Sequence, residues 1–586
     1  MKGIPLNIIF IVLLLNQAGL LNSAALKTQQ LNSGVNVSVE KTKFPDEEVF
    51  LHLDRNKYVA GEEVWFSIYN INTATEKLSS SSVIAYVELL NPWNRSVVQA
   101  RYALDGGRGE GNFTIPDTVS SGTFIIRSYT YRMESLLPEN CYMAYLDVYN
   151  PFKNSDFLRK SDSSVSTAPF RVIIGSVNER GLISVSDTVF GRREKVTLKI
   201  GSVYNGRGNR QSLSDLSISV SPSSVVSEML WKYPASEYKN EPDTFRIENE
   251  GHFLSGRIIY RHRNIPDSSH FLYMSVQGKV AEFRYADIDS SGRFTFILPP
   301  DTRKRNLILQ PDHPRNDMVL EIEPSFSRLF PSIDCIHDNL SLGESEIFSR
   351  LSFNYQASKI YEISSVKLPE ADNARESKKR RFYGIPEMEI HLDDYIRLPS
   401  MQEVFFELLP GIIIRPKRDG YELKITNPLT GVFYNEPPLV MIDGVIINDL
   451  NVLVDLDPET VEKIEVVKTP YLIGDMILHG IVNVITLSGD FSDVTMPEYA
   501  VILPYRIVEE PCLFVSPDYS DERLRTARKP DLRNTLFWNP SVSAARNGES
   551  EIEFWTSDLP GNYLISVYGT TSSGEILSAS RMFRVK

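Results

Sequence analysis

Cysteine is nearly absent: only Cys141, Cys335 and Cys512 occur in 586 residues. An odd and widely spaced set excludes a disulfide framework, and the three thiols are expected as small core residues. Histidine is as thin. The eight histidines are scattered, and even His262 and His270 lack a third ligand at useful spacing, which excludes a locally built zinc site. No H-E-x-x-H and no G-x-S-x-G occurs, so the common zinc-protease and serine-hydrolase signatures are missing. Past the N-terminal leader, no window reaches the roughly 18 apolar residues that a membrane-crossing helix needs. Positive charge is the minority sign, 62 Lys and Arg against 75 Asp and Glu, for a net charge of −13. The one basic run, Lys378-Lys379-Arg380-Arg381, reads as a solvated linker, so a nucleic-acid partner is excluded.

Two acidic patterns imitate sites without completing them. Asp287-x-Asp289-x-Ser291-Gly292 copies the first half of a calcium loop, but its twelfth position is Leu298, where a bidentate Glu is required, so an ordinary turn is expected. The carboxylates from Asp449 to Glu462 surround a short helix and read as a solvated face. No catalytic residue, cofactor or metal is therefore expected, and the chain is expected not to be an enzyme.

What is present begins with an export signal. Lys2, the apolar run Ile8 to Leu15 and the small residues Ser23-Ala24-Ala25 form a secretory signal peptide over 1–25, with cleavage after Ala25. No Cys follows the run, so no lipid anchor is expected, and 26–45 reads as a linker. At this length about four domains are expected, and 42% hydrophobic with 23% charged residues is globular composition.

Short strands separated by turn residues fill the first half, as a β-sandwich requires. The phrases "HLDRNKYVAGEEVWF", "GNFTIPD" and "SGTFIIRSYT" within 46–152 resemble the macroglobulin-like domain of bacterial alpha-2-macroglobulins and related envelope proteins. Alternating runs such as Lys195 to Ile200 and Leu216 to Val220 predict a second sandwich over 165–245. Within 250–328, "FLSGRI" and the "D-x-x-G-x-F-x-F" of Asp289 to Phe296 resemble a carboxypeptidase regulatory-like domain, a small sandwich. Residues 329–384 read as a mixed, partly helical connector. Residues 491–586 predict a C-terminal β-domain in which "EFWTSDLPGNYLISVYG" forms a hairpin.

The most informative stretch is 385–490. Apolar residues at 401, 404, 405, 408 and 409 give a helical stripe halted by Pro410-Gly411. Strands are expected on either side of Asp419-Gly420, and Pro437 to Ile447 reads as a hairpin around Asp443-Gly444. Asp457-Pro458-Glu459 opens a short helix before the strand at Ile464 to Val467, and Gly480 to Thr486 is a last strand. The phrases "LVMIDGV", "VEKIEVVKTP" and "GIVNVIT" in this order resemble the plug domain of TonB-dependent outer-membrane receptors. Residues 491–586 hold too few strands for the roughly 22-stranded barrel of such receptors. Leu439 to Ile442 predicts a central strand buried on both faces. Met476, Ile477 and Leu478, apolar without a local partner, are expected to dock on the C-terminal β-domain or on a second protein.

The expected fold class is thus multidomain and mainly β: tandem sandwiches, an α/β plug-like domain and a small C-terminal β-domain. The expected function is that of a non-catalytic binding or scaffold protein in the envelope of a Gram-negative bacterium, exported to the periplasm or to a face of the outer membrane. Its expected partner is an envelope protein such as a separate outer-membrane barrel. The alternative is a macroglobulin-like protease inhibitor with a bait segment such as 366–381. It would work without a thioester, since none of the three cysteines sits in a C-x-E-Q motif.

Overall fold

The computed structural model describes residues 47–138, 141–153, 157–160, 183–201, 213–226, 245–260, 271–314, 318–331, 335–361, 380–418, 420–492, 494–542, 550–571 and 576–586, together with the strand pieces 39–40, 175–176, 203–204 and 210–211. The expected signal peptide, most of the expected 26–45 linker, His262, His270 and residues 366–379 of the stretch expected as a bait segment lie outside the described residues. The fold class is mainly β and built from sandwiches, as expected.

The first sandwich packs the sheet of Glu47–Leu53, Glu63–Asn72, Lys77–Leu78 and Arg108–Thr114 against a seven-stranded sheet. That second sheet runs beyond the expected 46–152, because Phe157–Lys160 and Cys335–Asp338 add to its edge. Glu47–Leu53 is buried almost throughout instead of alternating. One face of its sheet meets its own core and the other meets the second sandwich, so neither is left to water. The turn at Gly61 needs glycine twice over. Its φ is +92°, and a Cβ there would collide with the Tyr355 hydroxyl of a distant helix.

The second sandwich corrects the expected domain order. Leu213–Pro222 lies between Phe537–Val542 and Gly561–Thr571, and Lys195–Ile200 pairs with Ser550–Trp555. Residues expected as two domains, 165–245 and 491–586, therefore share two sheets and one core, which includes Val196, Ile218, Val220, Ile565 and Val567. The "EFWTSDLPGNYLISVYG" run is not a hairpin. Its two strands sit in opposite sheets, and Ser557 to Pro560 crosses between them. Lys195–Ile200 shows the predicted alternation, with Val196, Leu198 and Ile200 buried.

The third sandwich, Phe253 to Ile322, is completed by Val501–Tyr505, which pairs antiparallel with Arg305–Pro311. The segment between them leaves and returns. Helix Leu342–Ile360, capped by Ser341 and Glu344 in a reciprocal box, wedges Phe348 and Leu351 against Val59, Phe157 and Val225. Then follows an α/β domain whose five-stranded sheet runs in the order Met388–His391, Val461–Val467, Ile481–Thr486, Leu439–Ile442, Val445–Ile446.

Local signals in that domain act as expected. Ser400 caps helix Met401–Leu408, and Gly411 follows its end with φ +80°. Asp457 accepts from the Glu459 N–H at 2.9 Å, although the element it opens is a single 3-10 turn. Asp443 and Gly444 both have positive φ, the requirement of a type I′ hairpin. The Asp443 carboxylate also receives the Thr486 and Phe491 N–H groups at 2.7 and 3.0 Å, which ties the turn to the far end of the sheet. Among the described residues no helix is long and apolar enough to cross a membrane.

Candidate interaction surface and junction cavity

The α/β domain uses the two faces of its sheet differently. Ile464, Val466, Val482 and Val484 pack under helix Met401–Leu408. On the other face, the buried Glu465 accepts from the Tyr383 hydroxyl at 2.6 Å and from Arg381 at 2.5 Å. Asn483 donates to the same Tyr383 hydroxyl at 3.1 Å and accepts from the Gly444 N–H at 3.2 Å. Burial raises the Tyr383 phenol well above its ordinary range, and the Glu465 carboxylate adds to the shift. Arg381 therefore serves a buried carboxylate, a correction to its expected place in a solvated linker; Arg380 is exposed.

Met476, Ile477 and Leu478 form one strand of a short ribbon with Tyr471–Ile473. Met476 and Leu478 are buried in a cluster with Ala281 and Phe283 of the third sandwich, and the Asp475 N–H reaches the Tyr285 hydroxyl at 3.1 Å. The expected contact of this segment was the C-terminal β-domain or a second protein; in the structure Met476 and Leu478 pack on the third sandwich instead. The reason is the aromatic outer face of that sandwich: Phe271, Tyr273, Phe283 and Tyr285 accept an apolar cover. Ile477 points away. It sits directly opposite Leu472, and the two are 56% and 65% exposed. Ile396, Phe406 and Leu429 of the same domain are also largely exposed.

A second feature was not legible in the sequence. After Val501–Tyr505 the chain crosses the first sandwich as a strap. Arg101 holds the Ile507 carbonyl at 2.7 Å, Asn112 accepts from the Cys512 N–H at 2.7 Å, and Phe514 meets Trp65 edge-on at 5.5 Å. The strap ends in a buried polar knot. Glu62 accepts from both terminal nitrogens of Arg55 at 3.1 and 3.0 Å and from Asn534 at 2.7 Å, and Asp54 receives Thr535 and Tyr58. Between the first sandwich, the end of helix Leu342–Ile360 and the strap lies a cavity of about 710 Å³. Trp65, Phe514, Val515 and Leu524 supply apolar wall, while Lys359 and Lys529 belong to the helix and the strap.

The remaining candidates are structural. Cys141 is buried as expected, whereas Cys512 is half-buried on the strap. Asp289 receives the Ser291 and Arg293 N–H groups at 2.8 and 2.9 Å, closing an ordinary turn. Among the described residues no group of three or more His, Cys, Asp or Glu could hold a metal ion.

No family model and no curated protein matches the chain. Among solved structures, Salmonella alpha-2-macroglobulin reacted with methylamine is similar at 9% identity and a TM-score of 0.24, with 95% of this chain and 40% of that chain covered. The native conformation of E. coli alpha-2-macroglobulin is similar at 10% identity and a TM-score of 0.24, with 95% and 41% covered. Dimeric latent PorU from Porphyromonas gingivalis is similar at 9% identity and a TM-score of 0.15, with 92% and 34% covered. The chain spans about two fifths of the length of the macroglobulins to which it is similar.

Proposed function

We propose that this protein is a non-catalytic binding or scaffold component of the cell envelope, in which the sandwiches hold the 385–490 domain so that its open surface meets a protein partner. The observation that carries this reading is the division of the ribbon 471–478. Its inner residues Met476 and Leu478 are spent on the third sandwich, whereas Leu472 and Ile477 form an apolar cross-strand pair left to solvent. Such a pair gains a little from its own cross-strand contact, and covering its exposed face by a partner would add the burial that solvent now denies it. The sequence resemblance of this domain to receptor plugs supports an outer-membrane barrel protein as the partner class, because a barrel wall covers a plug's surface. Charge narrows the partner further. Residues 385–490 contain 18 acidic and 7 basic side chains, a net of −11 in a chain of net −13, which favours a basic counter-surface and salt-sensitive binding.

Crosslinking in intact envelopes tests the reading. The wild-type chain is expected to capture a discrete envelope protein, and Leu472→Ser with Ile477→Ser is expected to lose it while remaining folded. Capture of the same protein by the folded double variant would move the contact elsewhere.

A further inference from the structure

We propose that the junction cavity binds a small amphiphile with an apolar body and a single anionic head. A volume of about 710 Å³ lies inside the range of roughly 300–1,000 Å³ typical of small-molecule pockets, which combine apolar walls with a few placed polar groups. The walls fit that description. Trp65 and Phe514 are already locked edge to face at 5.5 Å, and Leu524 is exposed on the strap side.

The polar groups separate into satisfied and unsatisfied. Glu62 and Arg55 saturate one another and Asn534. Arg193 spends its guanidinium on Asp558 and on the carbonyls of Leu524 and Ala527, and Arg533 spends its own on Asp531, Leu536 and Trp555. Asp518 is engaged by the Ser520 N–H at 2.8 Å, and Glu63, the third carboxylate of the lining, also has an interaction partner. Two lining cations are left over. Lys359 lies 5.3 Å from the Tyr355 ring centroid, and neither Lys359 nor Lys529 has a carboxylate within ion-pair distance among the described residues. Two ammonium groups from different elements, beside apolar wall in an otherwise acidic protein, select an anion over a cation. The head group pairs with them, and the body lies against Trp65, Phe514 and Leu524.

The test uses the full chain and 1-anilinonaphthalene-8-sulfonate, an apolar body with one sulfonate. Saturable binding with energy transfer from tryptophan is expected, and Trp65→Phe, one of five tryptophans, should reduce that transfer, the remainder coming from tryptophans such as Trp555, whose ring lies 6.2 Å from that of the lining Tyr519. Decanoate and indole-3-acetate serve as aliphatic and aromatic competitors. Displacement by either supports the site and tells which body it prefers, whereas decyltrimethylammonium should displace neither probe nor competitor. Lys359→Glu with Lys529→Glu should weaken the probe about tenfold or more, and because both side chains are exposed the fold should survive, as an unchanged circular-dichroism melt would show. Equal displacement by the cation, unchanged affinity in the double variant, or binding without transfer from Trp65 would each overturn the assignment.

Discussion

His52 Nδ1 lies 2.7 Å from Ser217 Oγ, a contact that joins the first sandwich to the second across 165 residues of chain. The ring is fully buried between Tyr568 and Trp538, at 4.4 and 5.2 Å. Burial, aided by the charge of Arg108, lowers its pKa to about 3. The folded protein thus keeps His52 neutral while the unfolded chain takes up a proton below about pH 6.5. Stability from this residue is complete above pH 6.5 and is lost as pH falls from there toward 3, by up to about 1.4 kcal/mol per pH unit. Burial also lowers His252, against the opposing pull of Glu248, so it acts in the same direction. Urea midpoints measured from pH 7 to pH 4 are expected to fall, and less steeply for His52→Gln. An identical slope in that variant would remove His52 from the account.

The ribbon 471–478 yields opposite outcomes on its two faces. Leu478→Ala truncates a buried residue and is expected to cost about 2–5 kcal/mol, seen as loosening of the α/β domain from the third sandwich. Leu472→Ser and Ile477→Ser touch exposed side chains and are expected to stay within about 0.5 kcal/mol. Hydrogen exchange of Phe283 and Tyr285 amides reads the docking directly. Protection should drop in the first variant and hold in the others.

How much of this was legible follows the distance over which each feature is determined. The Asp443-Gly444 hairpin, the Ser400 cap and the Asp457-Pro458 turn are set by neighbours a few residues away, and their chemistry is visible in the letters. The alternation of Lys195 to Ile200 says that one face is buried, and Val196 and Leu198 are buried. It does not say that the strand beside it is Ser550–Trp555, because a period of two carries no partner identity. Likewise Met476 and Leu478 could be recognised as needing a cover, but nothing in the letters around Phe283 marks it as that cover. The cavity was invisible for the same reason: Trp65, Lys359 and Lys529 meet only through the path of the strap.

The pair Glu88 and Arg127 makes a third prediction. Both side chains are fully buried, with Arg127 Nη2 at 2.8 Å from Glu88 Oε1, which also accepts from the Tyr129 hydroxyl at 2.7 Å. Arg127 further donates to the carbonyls of Leu329 and Ser327 at 2.6 and 3.0 Å, which fastens the connector to the first sandwich. Arg127→Met strands a buried carboxylate and is expected to cost about 3–5 kcal/mol. Adding Glu88→Leu removes the stranded charge and should restore part of that loss. A double-mutant cycle on denaturant midpoints measures it, and additive single effects would show that the ion pair is not coupled.

The last prediction concerns the divided second sandwich. Leu213–Pro222 takes hydrogen bonds from Gly561–Thr571 on one side and Phe537–Val542 on the other, so it is an interior strand of its sheet. Its buried residues Ile218 and Val220 share a core with Ile565 and Val567. A fragment of 165–245 alone would expose both the unpaired edges of that strand and the apolar side chains that face the missing half. It is therefore expected to be unfolded or aggregated. Mixing with a 491–586 fragment should rescue it as a stoichiometric complex with strand-type circular dichroism, since the two pieces together supply both sheets. Independent folding of 165–245 as a soluble monomer would mean that the shared sheet is not required for its stability. The converse follows from the same register: chains cut before residue 537 should lose protection in the strands Lys195–Ile200 and Leu213–Pro222 and around His52, whose cover of Trp538 and Tyr568 is removed, while the third sandwich, whose core contains no residue after Ile507, keeps its own.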